Sequence, residues 1–480
     1  MPLNARLSFF SKEQCALLRD RVFQLLENNG VKMDHGKVLE KLAEAGARVD
    51  LGKKRVRFPS VLLEQVLQTA PRKVFHAGAD SRHDFTVPSA EGSFFARPNT
   101  GAPFYLDPDS GRKRRVTIAD IEKWAGLVDR LEGMDFCPFP SPSDVPTQTA
   151  DIHALCCTLK NTRKHVWVQP YSAESVEYLI RLGASVSGGQ ARLRERPVIS
   201  MITCSLTPLE FKYMDLEVMV QACPLGIPVH LCSLPSAGTT APMTIQGTIL
   251  LAATEILAML AVSQVLNPGA PAVATPLVFA ADMATGSSMQ SSVEAIQGKA
   301  AAVEFMKAAF GIPTHTYGWG TDSPAVGGQS MMESTLLGAT IAAVGGDILG
   351  AAGQLEVATA ISPLQLLIDE EAVGIMKRMV RGLDVDDDTL AWEDLLSASP
   401  GTQFLTTTHT FEHCRDAHRT KLFTRESRED WEAKGKKDIV SRAEERYRAL
   451  LAQGGEGAVS PELGGEFDRL VSDAVARLVR

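Results

Sequence analysis

The feature that most restricts the fold of this chain is a repeat of texture rather than of residues. After Thr117, short apolar runs alternate with amphipathic stretches over roughly 300 residues. The runs MDFCPF, HVWVQP, VISMIT, PVHLC, PAVAT, PTHTYGW and a weaker one near GDILGA read as strands. Helices are predicted to begin near Thr117, Ala150, Ala173, Pro208, Thr244, Ser291, Gln329 and Pro363. Strands that alternate with helices in this way form a parallel sheet covered by helices. About eight such units fit a (β/α)8 barrel better than an open sheet. The doubly wound alternative also lacks its GxGxxG fingerprint after any strand.

The rest of the chain sorts around that repeat. Residues 1–115 read as an N-terminal extension of short helices and hairpins, with RVDLGKKRVRF turning at Gly52 and DPDSG forming a turn. Residues 116–415 form the expected barrel, and 416–480 a charged pair of C-terminal helices with a tail. The run 244–266, TIQGTILLAATEILAMLAVSQVL, has nearly the length of a membrane span. Glu255 at its centre, flanking glutamines and no basic anchor point instead to a helix inside a large domain. A net charge of −8 argues against a nucleic-acid binder. The eight cysteines form no CxxC pair and read as small buried hydrophobes in a reducing compartment, so a cytoplasmic protein is expected. The N-terminus is too short in apolar residues for a secretory signal. The hydrophobic helical surface suggests a homo-oligomer.

GxxxxGK[ST], HExxH and GxSxG are all missing, which removes support for a P-loop, a zinc protease and a serine hydrolase. A barrel builds its site at the C-terminal ends of its strands. There SFFARPN offers Phe95, Arg97 and Asn99, HVWVQPY offers Trp167, Gln169 and Tyr171, and PVHL offers His230. The stretch THTYGWGTD offers His315, Tyr317, Trp319 and Asp322, the first three on one face if the strand alternates regularly. Aromatic rings beside a carboxylate suit a quaternary ammonium, which makes no hydrogen bond and binds ring faces at about 0.5–2 kcal/mol. The same rings would also serve as ordinary barrel packing. In HTFEHCRDAH, His409 and His413 stand at i and i+4 and are candidate metal ligands or surface residues. The segment SLPSAGTTAPMTIQG, with Thr240 and Pro242, opens a helix whose free N–H groups suit an anion or are simply capped.

Taken together, AGTTAPMTIQG, the helix with Glu255, QVLNPGAP, DMATGS, PNTGAPFYLDPDSGRKRRVT, LLIDEEAVGIMKRMVRGLDVDDDTLA and GTQFLTTTHTFEHCR resemble the trimethylamine methyltransferase family over about residues 5–450. The resemblance implies a TIM barrel that passes a methyl group from a methylated amine to cobalt(I) of a separate corrinoid protein, with no tightly bound cofactor of its own. Founding members carry pyrrolysine, whereas this chain has standard residues only. Where relatives commonly have Asp-x-Lys, it has Asp322-Ser323-Pro324. Both departures favour a quaternary amine such as glycine betaine, leaving dimethylglycine, over trimethylamine; proline betaine and carnitine stay open. On this reading Trp167, Tyr317 and Trp319 cage the ammonium, with Phe95 and Tyr171 as further candidates. Arg97 and Asn99 hold a carboxylate with help from His230 or His315, and Asp322, Glu356 and Glu304 balance the nitrogen. A metal-dependent barrel hydrolase and a non-catalytic betaine-binding protein are the competing classes.

Overall fold

The computed structural model describes residues 7–454 and 457–479. Local capping chemistry starts many of the helices. Thr117 opens α1 (Ile118–Arg130) with a capping box in which its side chain accepts from Asp120 N and its own N–H donates to the Asp120 carboxylate. Ser292 caps α6 (Val293–Phe305), and Ser362 followed by Pro363 starts α8 (Pro363–Val380). The remaining barrel helices are α2 (Ala150–Asn161), α3 (Val176–Ser187), α4 (Tyr213–Ala222), α5 (Ile245–Leu266) and α7 (Gly328–Ala343).

Each helix follows one strand. These are β1 (Phe95–Pro98), β2, reduced to a single bridge at Phe136, β3 (Val166–Val168), β4 (Ile199–Cys204), β5 (Val229–Ser233), β6 (Ala272–Pro276), β7 (His315–Tyr317) and β8 (Ile348–Ala352). Adjacent strands are parallel, with Met201 opposite Val229, Val229 opposite Ala272, His315 opposite Ile348 and Ile348 opposite Phe95. Single bridges join β6 to β7 (Ala274 to Thr314) and β2 to β3 (Phe136 to His165). Asp135 N donates to Ala96 O at 2.8 Å and closes the ring between β1 and β2. The expected (β/α)8 barrel is present. It begins at Phe95, inside the stretch assigned above to the N-terminal extension, and its eighth helix ends at Val380.

Helix α5 is apolar all round because it is covered all round. Strands β5 and β6 lie on its inner side, and helices Lys12–Gln24, Gly36–Glu44 and Ser60–Thr69 pack outside it. It is long and apolar enough to cross a membrane by length and composition, yet most of it is buried within the fold. Its central Glu255 accepts from Ser205 Oγ (2.5 Å), Ser233 Oγ (2.6 Å), Leu209 N (2.7 Å) and Thr207 Oγ1 (2.9 Å). A buried carboxylate with four donors ties α5 to the loop after β4 and the end of β5.

A β-hairpin, Val74–His76 paired with Phe85–Val87, stops the N-terminal end of the barrel. Phe85 packs 4.6 Å from Phe95 and 4.9 Å from Phe136, the first inward residues of β1 and β2. Ala77 N donates to Pro197 O, just before β4, and Ala77 O meets His165 Nδ1 at 2.9 Å, just before β3. The hairpin thus covers the starts of β1 to β4.

Candidate active site

Alternation along the strands sends every second side chain into the barrel. Above the stopper, the middle level contains Arg97, Trp167, His230 and His315, all buried. Arg97 Nε donates to His315 Nε2 at 2.8 Å and Nη1 to Pro98 O at 2.8 Å. Its guanidinium carbon lies 4.2 Å from the centre of the Trp167 ring and 5.9 Å from that of Tyr317. Only a glycine opposite leaves it room, since a Cβ on Gly350 would stand 2.8 Å from Arg97 Cζ and 2.9 Å from Nη2. Burial lowers the guanidinium to about 10, opposed among the described residues by Tyr317 and Cys232. Among the described residues no carboxylate pairs with it. Arg97 is thus a charged group in a low-dielectric chamber without a counter-ion, an arrangement that favours an anionic ligand.

The hydrogen bond from Arg97 constrains the tautomer of His315. His315 accepts from Arg97 at Nε2, so its own proton is on Nδ1. That proton lies between His230 Nδ1, 3.3 Å away, and Thr275 Oγ1, 3.5 Å away. Burial and the nearby guanidinium keep both rings well below their usual range, hence neutral at pH 7. The pair aims Arg97 without neutralising it.

The level nearest the mouth is marked by polar atoms with no protein partner. Both amide atoms of Asn99 and both of Gln354 are buried and unpaired, as are Gln290 Oε1 before α6 and, one level lower, Trp167 Nε1. Native interiors leave few such groups, and polar atoms of this kind at strand ends are suited to bind a polar ligand. The backbone here is strained as well. Glu356, Val357 and Ala358, just past Gln354, have φ of 52°, 53° and 73°, and Ala351 in β8 has 77°.

Several residues expected at the site lie elsewhere. Gly318 N and Trp319 N both donate to Gly350 O (2.9 and 3.1 Å), a bulge that breaks the alternation after Tyr317. Trp319 therefore turns outward into the helical layer, 6.2 Å from Phe94 and against Gly338 of α7. The two rings expected to cage an ammonium, Trp167 and Tyr317, instead flank Arg97. Phe95 lies at the stopper. Asp322 accepts from Gln290 N (2.9 Å) and Ser291 N (3.1 Å), pinning the loop after β7 to the loop before α6. Glu356 is ion-paired with Lys113 on the surface sheet, and Glu304 accepts from Phe9 N (2.7 Å) outside the barrel. His409 and His413 lie side by side on an exposed helix, ring centres 4.3 Å apart and tilted by 33°, bonded to Asp388 O and Asp416 respectively. Among the described residues no group of three or more His, Cys, Asp or Glu is placed to hold a metal.

Of the expected residues, Arg97, Trp167, His230, His315 and Tyr317 come together inside the barrel; Asn99 is buried two residues beyond Arg97, and Tyr171 N donates to Asp151 at 2.8 Å. Sequence reasoning singled out neither Gln354, just past β8, nor Gln290, in the loop before α6, nor the buried Lys299, which donates to Gln290 O at 2.6 Å and is lowered to about 7 by burial. A lone glutamine after a strand carries no motif; the signal was only its position.

The family model described as trimethylamine methyltransferase matches residues 3–478. A trimethylamine methyltransferase of Desulfitobacterium hafniense is 30% identical over 447 residues, covering 93% of this chain and 89% of that one. A glycine betaine methyltransferase from another strain of that species is 27% identical over 472 residues, covering 97% of each. The crystal structure of the Methanosarcina barkeri monomethylamine methyltransferase aligns with a TM-score of 0.55 at 13% identity, over 94% of this chain and 89% of that one, a likeness of fold.

Proposed function

The chain belongs to the trimethylamine methyltransferase family, and from that premise we propose that it moves a methyl group from a quaternary amine bearing a carboxylate to cobalt(I) of a separate corrinoid protein. Glycine betaine is the first candidate, leaving dimethylglycine; proline betaine and carnitine present the same groups. The observation that carries this reading is Arg97, a buried guanidinium without a counter-ion one level below the mouth.

A carboxylate lowered onto Arg97 pairs with the guanidinium, and Asn99 and Gln354 supply amide donors at the next level. The ammonium then stands at the level of Tyr317, whose ring lies 6.5 Å from Phe279. A methyl group on that nitrogen faces the mouth. When the carbon–nitrogen bond breaks, its electron pair stays on nitrogen and the amine leaves neutral. The step needs no general acid, consistent with neutral His230 and His315. The corrinoid is a substrate carried in by its own protein, and this chain contributes positioning and exclusion of water. Trimethylamine has no carboxylate and would leave Arg97 unpaired.

The test mixes purified protein, a reduced corrinoid protein and single methylated amines, and follows the cobalt spectrum. Methyl-cobalt is expected with glycine betaine or another carboxylated quaternary amine, and is expected to be lost in Arg97→Ala. Methyl-cobalt from trimethylamine alone, or from no amine at all, overturns the reading.

A further inference from the structure

The sequence holds no CxxC pair, but the strand ladder sets two cysteines side by side. Cys204 at the end of β4 stands opposite Cys232 in β5, in a parallel register that runs unbroken from Met201 opposite Val229. Neighbouring strands lie about 4.8 Å apart, within the roughly 4.4–6.8 Å between Cα atoms that a disulfide spans. Both side chains point inward. Thr203 Oγ1 donates to Asp215 O in α4 (2.8 Å) and Ser233 Oγ to the Glu255 carboxylate in α5 (2.6 Å), so these residues take the outward face of each strand. On the inward face both cysteines pack in the cluster that contains Trp167, Ile202 and Tyr317. Together they help burial raise the Tyr317 hydroxyl to about 12.

The two thiols are also held in place. Cys204 N donates to the Asp215 carboxylate at 2.7 Å, and Ser205 N to Cys232 O at 2.9 Å. The residues that follow the cysteines, Ser205 and Ser233, both donate their hydroxyls to Glu255. One buried carboxylate thus ties together the strand ends on which the thiols stand, and little freedom is left to lose when they join. Their exposures differ, Cys204 being partly open and Cys232 buried. Burial first, and then the Cys204 side chain within hydrogen-bond reach, raise the Cys232 thiol well above its usual range, against the pull of Arg97. An oxidant therefore meets Cys204 first, and Cys232 stands behind it.

We propose that Cys204 and Cys232 form a redox-modification site, closed to a disulfide by a low-molecular-weight disulfide that enters at the strand ends. The Cys204 thiolate attacks one sulfur of that molecule and releases its first half as a thiolate, leaving a mixed disulfide on Cys204. Cys232 then gives up its proton, attacks Cys204 Sγ and releases the second half. Both cysteines are oxidised, the small disulfide is reduced to two thiols, and the protons of the cysteines end on them. Joining the side chains reshapes the wall beside Tyr317, where the ammonium stands on the proposed reading, so the amine binds less well until a reductant reopens the pair. The pairing rests on the fold; only its effect on the amine rests on that reading.

The test incubates the reduced full chain with bis(2-hydroxyethyl) disulfide, alkylates the remaining thiols and maps the peptides by mass. The expected product is a pair of peptides joined through Cys204 and Cys232, opened by dithiothreitol. Cys232→Ser should instead keep the small thiol on Cys204, and Cys204→Ser should carry nothing at Cys232. Calorimetry should show glycine betaine binding to the reduced wild type, weakened in the cross-linked form and restored by dithiothreitol. The mapping of the wild type stands even where a variant fails to fold. A wild type that ends with a mixed disulfide on Cys204, or with both thiols free, would overturn the proposal, as would a cross-linked form that binds the amine as tightly as before. No cross-link beside normal methyl transfer sinks the pairing and leaves the function standing; a cross-link in a protein that neither binds nor demethylates an amine does the reverse.

Discussion

Glu255 and Arg97 are equally buried and differ in everything that follows. Glu255 faces four donors, all between 2.5 and 2.9 Å, supplied by the loop after β4 and the end of β5. Asp369 in α8 is similarly served, by Ser334 Oγ, Gly353 N and Gln365 Nε2, each at 2.8 Å. Inside the barrel, Arg97 has a neutral imidazole, one carbonyl and two ring faces, while Asn99 and Gln354 nearby bond to nothing through their side chains. A carboxylate in the outer layer is completed by the fold; on the proposed reading, the guanidinium in the chamber is completed by the substrate. Burial alone says little about whether a polar residue is structural, and satisfaction says much.

The largest expected effect sits on the completed side. Glu255→Ala strands three hydroxyls and an N–H and should cost about 3–5 kcal/mol in a urea titration. Arg97→Met should leave stability unchanged or raise it by about 1 kcal/mol, because it removes an unpaired buried charge. In the same variant, catalytic efficiency with a carboxylated amine should fall by about 2–5 kcal/mol, roughly 30- to 5,000-fold. Equal losses of stability in the two variants would erase the distinction between the regions. Gly350→Ala tests the chamber by size: its methyl meets Arg97 Cζ at 2.8 Å, and overpacking of about 1–3 kcal/mol should appear mainly in KM.

A pH titration sharpens the other side. Burial raises the Asp369 carboxyl from 3.8 to about 7, more than its three hydrogen bonds lower it. The folded protein then holds a proton that the unfolded chain releases. Stability from this group is present below pH 4 and lost as pH rises toward 7, at no more than about 1.4 kcal/mol per pH unit. Asp369→Asn should flatten that slope in denaturation curves collected between pH 4 and 7. The smallest effect is expected at Trp319, where Phe should cost about 1 kcal/mol of packing and leave KM untouched. A raised KM there would return Trp319 to the chamber.

The barrel was legible because its period is long and its patterning consistent: seven of the eight strands and the starts of most helices follow from apolar runs and their caps. The buried nature of α5 followed from Glu255, a charge that needs partners lipid does not supply. Trp319 was misplaced because alternation assumes an unbroken ladder, and the double donation to Gly350 O is a property of two strands, invisible in either alone. Trp167 and Tyr317 were read as a cage for a foreign cation, and a cation does lie between them, but it is Arg97. Which residue fills a ring of aromatics depends on what stands opposite, here the missing side chain of Gly350. Gln354 and Gln290 escaped notice because an unsatisfied amide is defined by neighbours it lacks.

The hairpin that stops the strand starts also imposes an order in time. With a hairpin across strand starts, the proposed reaction is loaded at the strand ends, and the amine goes in before the methyl acceptor settles over the mouth. The demethylated amine leaves only after the acceptor lifts. Steady-state rates would then show a compulsory sequence with the amine leading, and surplus acceptor would slow turnover by capping chambers that are still empty.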